Sequence, residues 1–375
     1  MSFLRPDIGK ALKSALTDKR KNTKNTRDER INGKKVVLET VVTLRSKEEG
    51  KPSQKFTEYV LEDGTTVRKL IGDVHKPQYV IDQEAGISRL TPQEFDFEEK
   101  RWRQTNNNSK KPLPTEEIRI ISYNVWFSEV NREKRCEALL GILQEKDPDV
   151  ICLQEVTPQF LTILRQHKFI QQNFFLSDSV GSTLRGSGLQ YGVVMLVRKS
   201  NCEVSMTLYQ TPSRMNRRPL VAVMHCNGLR IQIATMHLES LDYVKTRCIQ
   251  QKHVFSTLEE QEKPAESCLS LFCGDFNYDG DIESEEAKVV PHEYEDAWIS
   301  AVNNQTAGVQ PNQASHTYPG IGRIDRILFK TKGVTYNCTQ IELLGTYPIP
   351  GLEGETEKER RPSDHFGLCA TFRLV

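Results

Sequence analysis

Four short apolar runs in this chain each end in a polar residue suited to phosphate or metal. They are Ile118–Asn124 (IRIISYN), Val150–Glu155 (VICLQE), Ile231–His237 (IQIATMH) and Leu269–Asp275 (LSLFCGD). A fifth pair, Asp364–His365, precedes the last apolar run. Runs this short and this rich in Ile, Val and Leu read as buried strands. A polar group at the end of such a strand leaves the core at the mouth of the sheet, where a rigid scaffold can hold it. One Asn, one Glu, one His, an Asp-x-Asn and an Asp-His delivered this way have the chemistry of a magnesium-dependent phosphodiester-cleaving site.

A chain of 375 residues exceeds one small core, so two domains or one large domain with an extension are expected. The net charge of +1 with 27% charged residues excludes a uniformly basic nucleic-acid coat and leaves room for a local basic groove. No apolar stretch nears the roughly 18 residues of a membrane span. The start, MSFLRPDIGKALKSAL, lacks the apolar block of a signal peptide. Neither a membrane partner nor secretion is expected. The 9 cysteines form no C-x-x-C pair and several lie inside apolar runs (Cys152, Cys273, Cys369). Buried reduced thiols are expected, with neither a zinc site nor a disulfide framework.

Residues 1–35 carry eleven Lys or Arg against four Asp or Glu and have little to bury, which reads as a flexible basic tail. Such a run serves equally as a nuclear localisation signal, a nucleic-acid arm or a merely solvated tail. Residues 36–112 read as a small β-rich module with a hairpin at Asp63-Gly64, followed by a short helix from residue 92 and a polar linker, with the boundary near Lys111. Residues 113–375 alternate strands with helices at Asn131–Glu145, Pro158–Gln166 and Tyr243–Glu260. The hairpin signal at Asn227-Gly228 argues for antiparallel sheets covered by helices. The Gly- and Ser-rich segment Ser179–Gly192 reads as a mobile loop of the kind that binds substrate.

Each polar residue has a role its chemistry allows. Glu155 offers the carboxylate oxygen that a hard cation such as Mg²⁺ prefers, and a surface carboxylate is the plain alternative. Asp275 can orient or deprotonate water, while the amide of Asn277 donates to a phosphate oxygen. His237 can donate to non-bridging oxygens where charge grows, and Ser240 supplies a second phosphate donor or a helix N-cap. Asp364 and His365, as sequence neighbours on a strand, would face opposite ways. His365 is therefore expected on the phosphate and Asp364 behind another imidazole, that of His237.

The ordered set Asn124, Gln154-Glu155, His237, Gly274-Asp275-Phe276-Asn277 and Ser363-Asp364-His365 resembles the exonuclease–endonuclease–phosphatase superfamily over residues 116–375. The resemblance implies a four-layered α/β sandwich, two mixed and largely antiparallel sheets with helices outside, and hydrolysis of phosphoesters with Mg²⁺ or Mn²⁺. Within it, DVICLQEVTP, HLES, RIDRILFK and PSDHFGL are similar to the tyrosyl-DNA phosphodiesterase branch. That implies cleavage of 5′-phosphotyrosyl bonds between DNA and a topoisomerase II-derived peptide, in DNA repair. A monomer is expected, in the nucleus and also in the cytoplasm. The resemblance also places Arg218 in the nucleic-acid groove and Tyr318 against the terminal base. A surface salt bridge for Arg218 and a core position for Tyr318 are the bland alternatives. Where the branch has W-N-I-D-G-L, this chain has Tyr123-Asn124-Val125-Trp126-Phe127-Ser128, and its Asp motif is DFN, not DTN.

Two further readings stand beside this one. The same fold can carry an abasic-site endonuclease or an RNA-directed nuclease. A catalytically inactive scaffold for nucleic acid or protein is of another class, and would normally have lost a residue such as Glu155 or Asp275.

Overall fold

The apolar runs do become strands, and their pairing explains why their ends meet. The computed structural model describes residues 87–375 except 106–112, 114, 185–189, 201, 263–265, 280–283, 304–315 and 320–321, and before them only the backbone of five strands. Those five are β1 (Arg30–Ile31), β2 (Lys34–Leu44), β3 (Gln54–Leu61), β4 (Thr66–Leu70) and β5 (Tyr79–Ile81). They form an antiparallel sheet in chain order. They lie in the smaller of two units, Met1–Ile87 with two short later pieces. Most of the expected basic tail, and the turn at Asp63-Gly64, fall outside the described residues.

The larger unit has two sheets. One contains β7 (Gln93–Asp96), β8 (Arg101–Gln104), β9 (Glu117–Asn124), β10 (Val150–Val156), β11 (Phe174–Leu176), β12 (Gly192–Arg198), β19 (Tyr336–Leu344) and β20 (Gly367–Leu374), in the order β19-β20-β9-β10-β12-β11-β7-β8. The other contains β6 (Ile87–Leu90), β13 (Glu203–Tyr209), β14 (Leu220–Cys226), β15 (Leu229–His237), β16 (Ser267–Asp275), β17 (Glu295–Asp296) and β18 (Asp325–Lys332), in the order β17-β18-β16-β15-β14-β13-β6. Side chains such as Ile120, Cys152 and Met195 from the first sheet meet Ile231, Leu271 and Ile327 from the second in one buried cluster. Each such Leu, Ile or Met contributes about 1.5–3 kcal/mol by leaving water. Helices α1 (Arg132–Lys146), α2 (Pro158–Gln166) and α3 (Lys168–Asn173) bury Leu139, Leu143, Leu164 and Ile170 against the outer face of the first sheet. Helix α4 (Val244–Glu260) buries Val254, Phe255 and Leu258 against the second. The result is the expected four-layered α/β sandwich, helix on sheet on sheet on helix. A short helix, α5 (Ala297–Asn303), adds Ala297 and Trp298 to the cluster between the sheets.

Three expectations are corrected here. Residues 93–104 form a hairpin, not a helix. Phe95 and Trp102 face each other across it with ring centroids 5.7 Å apart, and Lys100 takes the left-handed turn position (φ 52). This hairpin joins the first sheet through β11 and β6 joins the second, so three strands of the larger unit precede the boundary expected near Lys111. Finally, Cys202 and Cys226 form a disulfide across adjacent strands, where Glu203 pairs with His225. The other described cysteines are free, and all but Cys248 are buried. Among the described residues no helix is long and apolar enough to cross a membrane.

Candidate active site

Parallel pairing brings the polar strand ends together. β9 and β10 run parallel with Gln154 beside Asn124, and β15 and β16 run parallel with His237 beside Asp275. The ends of both pairs therefore open at one mouth. β18 runs antiparallel to β16 with Asp325 opposite Asp275, so the start of β18 arrives where β16 ends. The close approach of β15 to β16 requires Gly274. At φ +139 a Cβ there would lie 1.9 Å from the Met236 carbonyl. Glu155 sits at an irregularity in β10 with φ +59, a left-handed value that turns its side chain out of the strand's alternation.

Asp275 is the focus. Its Oδ2 accepts from Asn124 Nδ2 at 3.0 Å and lies 3.3 Å from His237 Nε2 and 3.7 Å from His365 Nε2. Its Oδ1 accepts from the Asn277 backbone N at 2.9 Å, closing a turn in which Asn277 takes φ +55. The Asn277 amide donates to the Leu238 carbonyl at 3.0 Å. Burial and the charge of Asp325 push Asp275 up to about 6. Glu155 Oε2 accepts from the Phe127 N–H at 3.0 Å, and Oε1 lies 3.8 Å from His237 Nδ1. Burial, then the charge of Asp364, push it up to about 7. Gln154, beside it, is a bridge between the sheets, donating to Thr235 Oγ1 and Ser122 Oγ.

A carboxylate does stand behind an imidazole, but it is Asp325 behind His365, with Oδ2 2.8 Å from Nδ1. Asp364 and His365 precede β20, so strand alternation does not separate them, and both face the site with His365 Nε2 4.0 Å from Asp364 Oδ1. Burial alone would lower the His365 pKa, but Asp325 and Asp275 outweigh it and hold it at about 10, as an imidazolium. His237 is oriented by Arg217, whose Nη1 lies 2.7 Å from Nδ1. A guanidinium only donates, so Nδ1 accepts and the proton sits on Nε2, toward Asp275. Ser240 does not cap α4, whose N-cap is Tyr243; its Oγ accepts from Arg217 Nη2 at 3.1 Å.

The two residues expected to touch nucleic acid have other partners. Arg218 donates from Nη2 to the Thr183 carbonyl. Tyr318 is half-buried, its ring edge-on to His365 with centroids 4.8 Å apart, and its hydroxyl donates to Asp364 Oδ2 at 3.4 Å. The start of the Gly-rich segment is pinned by Asp178, which accepts from Val180 N, Gly181 N and both Thr183 N and Oγ1; residues 185–189 lie outside the described residues. Arg218 and Thr183 line an open cleft that Glu155, Tyr191, Met215, Arg217 and His237 also line. Tyr191 stacks on Phe127 with centroids 5.4 Å apart and lies under Arg217 at 5.2 Å.

Two site residues, Asp325 and Arg217, do not end an apolar run. Asp325 opens its strand, and the R-x-D-R spacing is its signal in the sequence. In the structure Arg323 and Arg326 of that run both bind Asp296, leaving Asp325 for the site. Arg217 sits in a run of two arginines, where nothing in the sequence separates the one facing His237 from its neighbour.

The donor set fits a divalent cation. Glu155 supplies a hard carboxylate oxygen whose charged form burial disfavours, and Asp275, Asp325 and His365 offer ligand atoms within 4.8 Å of one another. Because His365 Nδ1 is engaged by Asp325, that trio reads better as an acid–imidazole pair beside Asp275, and Glu155 as the metal carboxylate.

Comparison with known proteins gives relatives in sequence and in fold. Tyrosyl-DNA phosphodiesterase 2 of Xenopus laevis is 26% identical over 286 residues, 72% of this chain and 71% of that one. The Gallus gallus protein of the same name is 27% identical over 271 residues, 68% and 67% of the two chains. Among solved structures, Danio rerio TDP2 complexed with single strand DNA product superposes with a TM-score of 0.52 at 24% identity, covering 68% of this chain and 99% of that one. The sequence profile of the Endonuclease/Exonuclease/phosphatase family matches residues 121–365, a span holding every residue placed at the site above, and the chain belongs to that family.

Proposed function

We propose that the protein is a Mg²⁺-dependent phosphodiesterase that hydrolyses 5′-phosphotyrosyl bonds in DNA, acting in repair of topoisomerase II-derived adducts in the nucleus. The observation that carries the hydrolytic reading is the convergence of Asn124, His237 and His365 on one oxygen of Asp275, with Glu155 alongside. The tyrosyl specificity is supported by the relatives of that name, and a DNA substrate by the single strand DNA product bound by the Danio rerio protein.

Asp275 accepts the proton of the attacking water, and the Asn124 amide fixes which carboxylate oxygen does so. His365, held protonated by Asp325, and the Nε2–H of His237 donate to the phosphate oxygens on which charge grows. When bound at Glu155, the cation neutralises scissile phosphate charge. The phenolate leaving group, with a pKa of about 10, needs less proton assistance than a sugar alkoxide.

A panel of a 5′-phosphotyrosyl oligonucleotide, an abasic-site duplex and a single-stranded RNA tests the specificity. Release of tyrosine with a 5′-phosphate left behind is expected. Cleavage of the abasic duplex or of RNA alone would keep the chemistry and discard the substrate.

A further inference from the structure

Arg135 is the bulkiest of the fully buried side chains, 1% exposed, on the inner face of α1. Among the described residues it forms no ion pair. Instead its five N–H groups meet five backbone carbonyls. Nε donates to Val130 O at 2.8 Å; Nη1 to Val125 O at 3.4 Å and Pro362 O at 3.1 Å; Nη2 to Trp126 O at 3.4 Å and Ser128 O at 2.7 Å. The Trp126 ring covers the guanidinium at 4.5 Å.

Four of these carbonyls belong to the segment that follows Asn124, and the fifth belongs to the residue before Ser363-Asp364-His365. Both segments touch the site. The Trp126 N–H donates to Asn124 Oδ1 at 3.0 Å and the Phe127 N–H to Glu155 Oε2 at 3.0 Å. Ser363 Oγ donates to the Asn124 carbonyl at 2.6 Å and accepts from the His365 N–H at 3.2 Å. We propose that Arg135 is a positioning residue that locks the 125–130 and 362–365 segments to each other, and so sets where Asn124, Glu155 and His365 stand. Arginine is required because a lysine has three donors and no planar fork, and cannot satisfy five carbonyls in two directions. An unsatisfied buried carbonyl would have to move toward water, and the segment with it.

The kinetic part of this inference rests on the phosphodiesterase reading; the structural part does not. Arg135→Lys and Arg135→Ala are compared with the wild type in two measurements. In amide hydrogen exchange of the metal-free protein, both variants should exchange faster over 125–130 and 362–366 together, with the interiors of β9 and α1 unchanged. Acceleration confined to 125–130, or spread over the whole unit, would overturn the inference. In steady-state turnover of a 5′-phosphotyrosyl oligonucleotide, kcat should fall on the order of 100-fold, the size expected for a misplacement of about 1 Å, with KM within about threefold. Added guanidinium chloride at millimolar concentration should restore part of kcat in Arg135→Ala and none in Asp275→Asn. A lysine variant with wild-type kcat would overturn the inference. Absence of turnover by the wild type would count against the functional reading, and the exchange measurement would still decide the role of Arg135.

Discussion

His365 Nδ1 stands 2.8 Å from Asp325 Oδ2, and the two residues are brought together from the start of β18 and the bend before β20. This pairing gives the imidazolium its direction; its charge is held by Asp325 and Asp275, with a smaller contribution from the adjacent Asp364. Replacing Asp325 by Asn should therefore lower kcat by about 10²–10⁴-fold, the range of a lost acid–base contribution. Asp364→Asn leaves that bond in place and should cost less. Turnover rates of the two variants, with unchanged circular dichroism, check the order; equal losses would return the role to Asp364.

The charge arrangement fixes a pH dependence of the metal-free fold. Glu155 and Asp275 hold their protons more tightly when folded, at about 7 and 6 against ordinary values of 4.5 and 3.8. They destabilise the fold as pH rises from 3.8 toward 7, and fully above it. His365, at about 10 against 6.5, contributes stability below 6.5 that is lost as pH rises through 10. All three act in one direction. With EDTA, Tm should fall between about pH 5 and 8 more steeply in the wild type than in Glu155→Gln, and Mg²⁺ should raise the wild-type Tm at the upper end. Parallel curves would show that Glu155 carries no such penalty.

Asp178 acts with the opposite sign. Burial would raise its pKa, but hydrogen bonds from Thr183, Val180 and Gly181 outweigh it and hold it below 3.8. Its contribution is present above 3.8 and lost as pH falls through the lower folded value. Asp178→Ala should cost about 1–3 kcal/mol near neutral pH, read as a shift of the urea midpoint, and much less once the carboxyl is protonated.

Gly274→Ala should cost about 3 kcal/mol or more, because the added methyl collides with a backbone carbonyl and not with a movable side chain. Soluble expression at wild-type stability would refute the close approach of β15 and β16 that puts His237 beside Asp275.

Much of the site was legible because its residues end apolar runs, and a run such as LSLFCGD reads as a strand whose last residue reaches the mouth of the sheet. Parallel pairing was not legible, so the meeting of Asn124 with Asp275, 151 positions apart, had to come from the tertiary fold. The hairpin at 93–104 was hidden because Lys100 occupies the left-handed position where Gly or Asn would have announced a turn. The disulfide was hidden because Cys202 and Cys226, 24 residues apart, are joined by strand register and not by local spacing. Strand alternation does not govern Asp364 and His365, because both lie before the strand begins.

The most direct test of the account is incubation of a 5′-phosphotyrosyl oligonucleotide with wild type and with Asp275→Asn, each in Mg²⁺ and in EDTA. The account predicts tyrosine release by the wild type in Mg²⁺ alone, and none by the folded variant. Release that persists in EDTA, or in the variant at the wild-type rate, would contradict it.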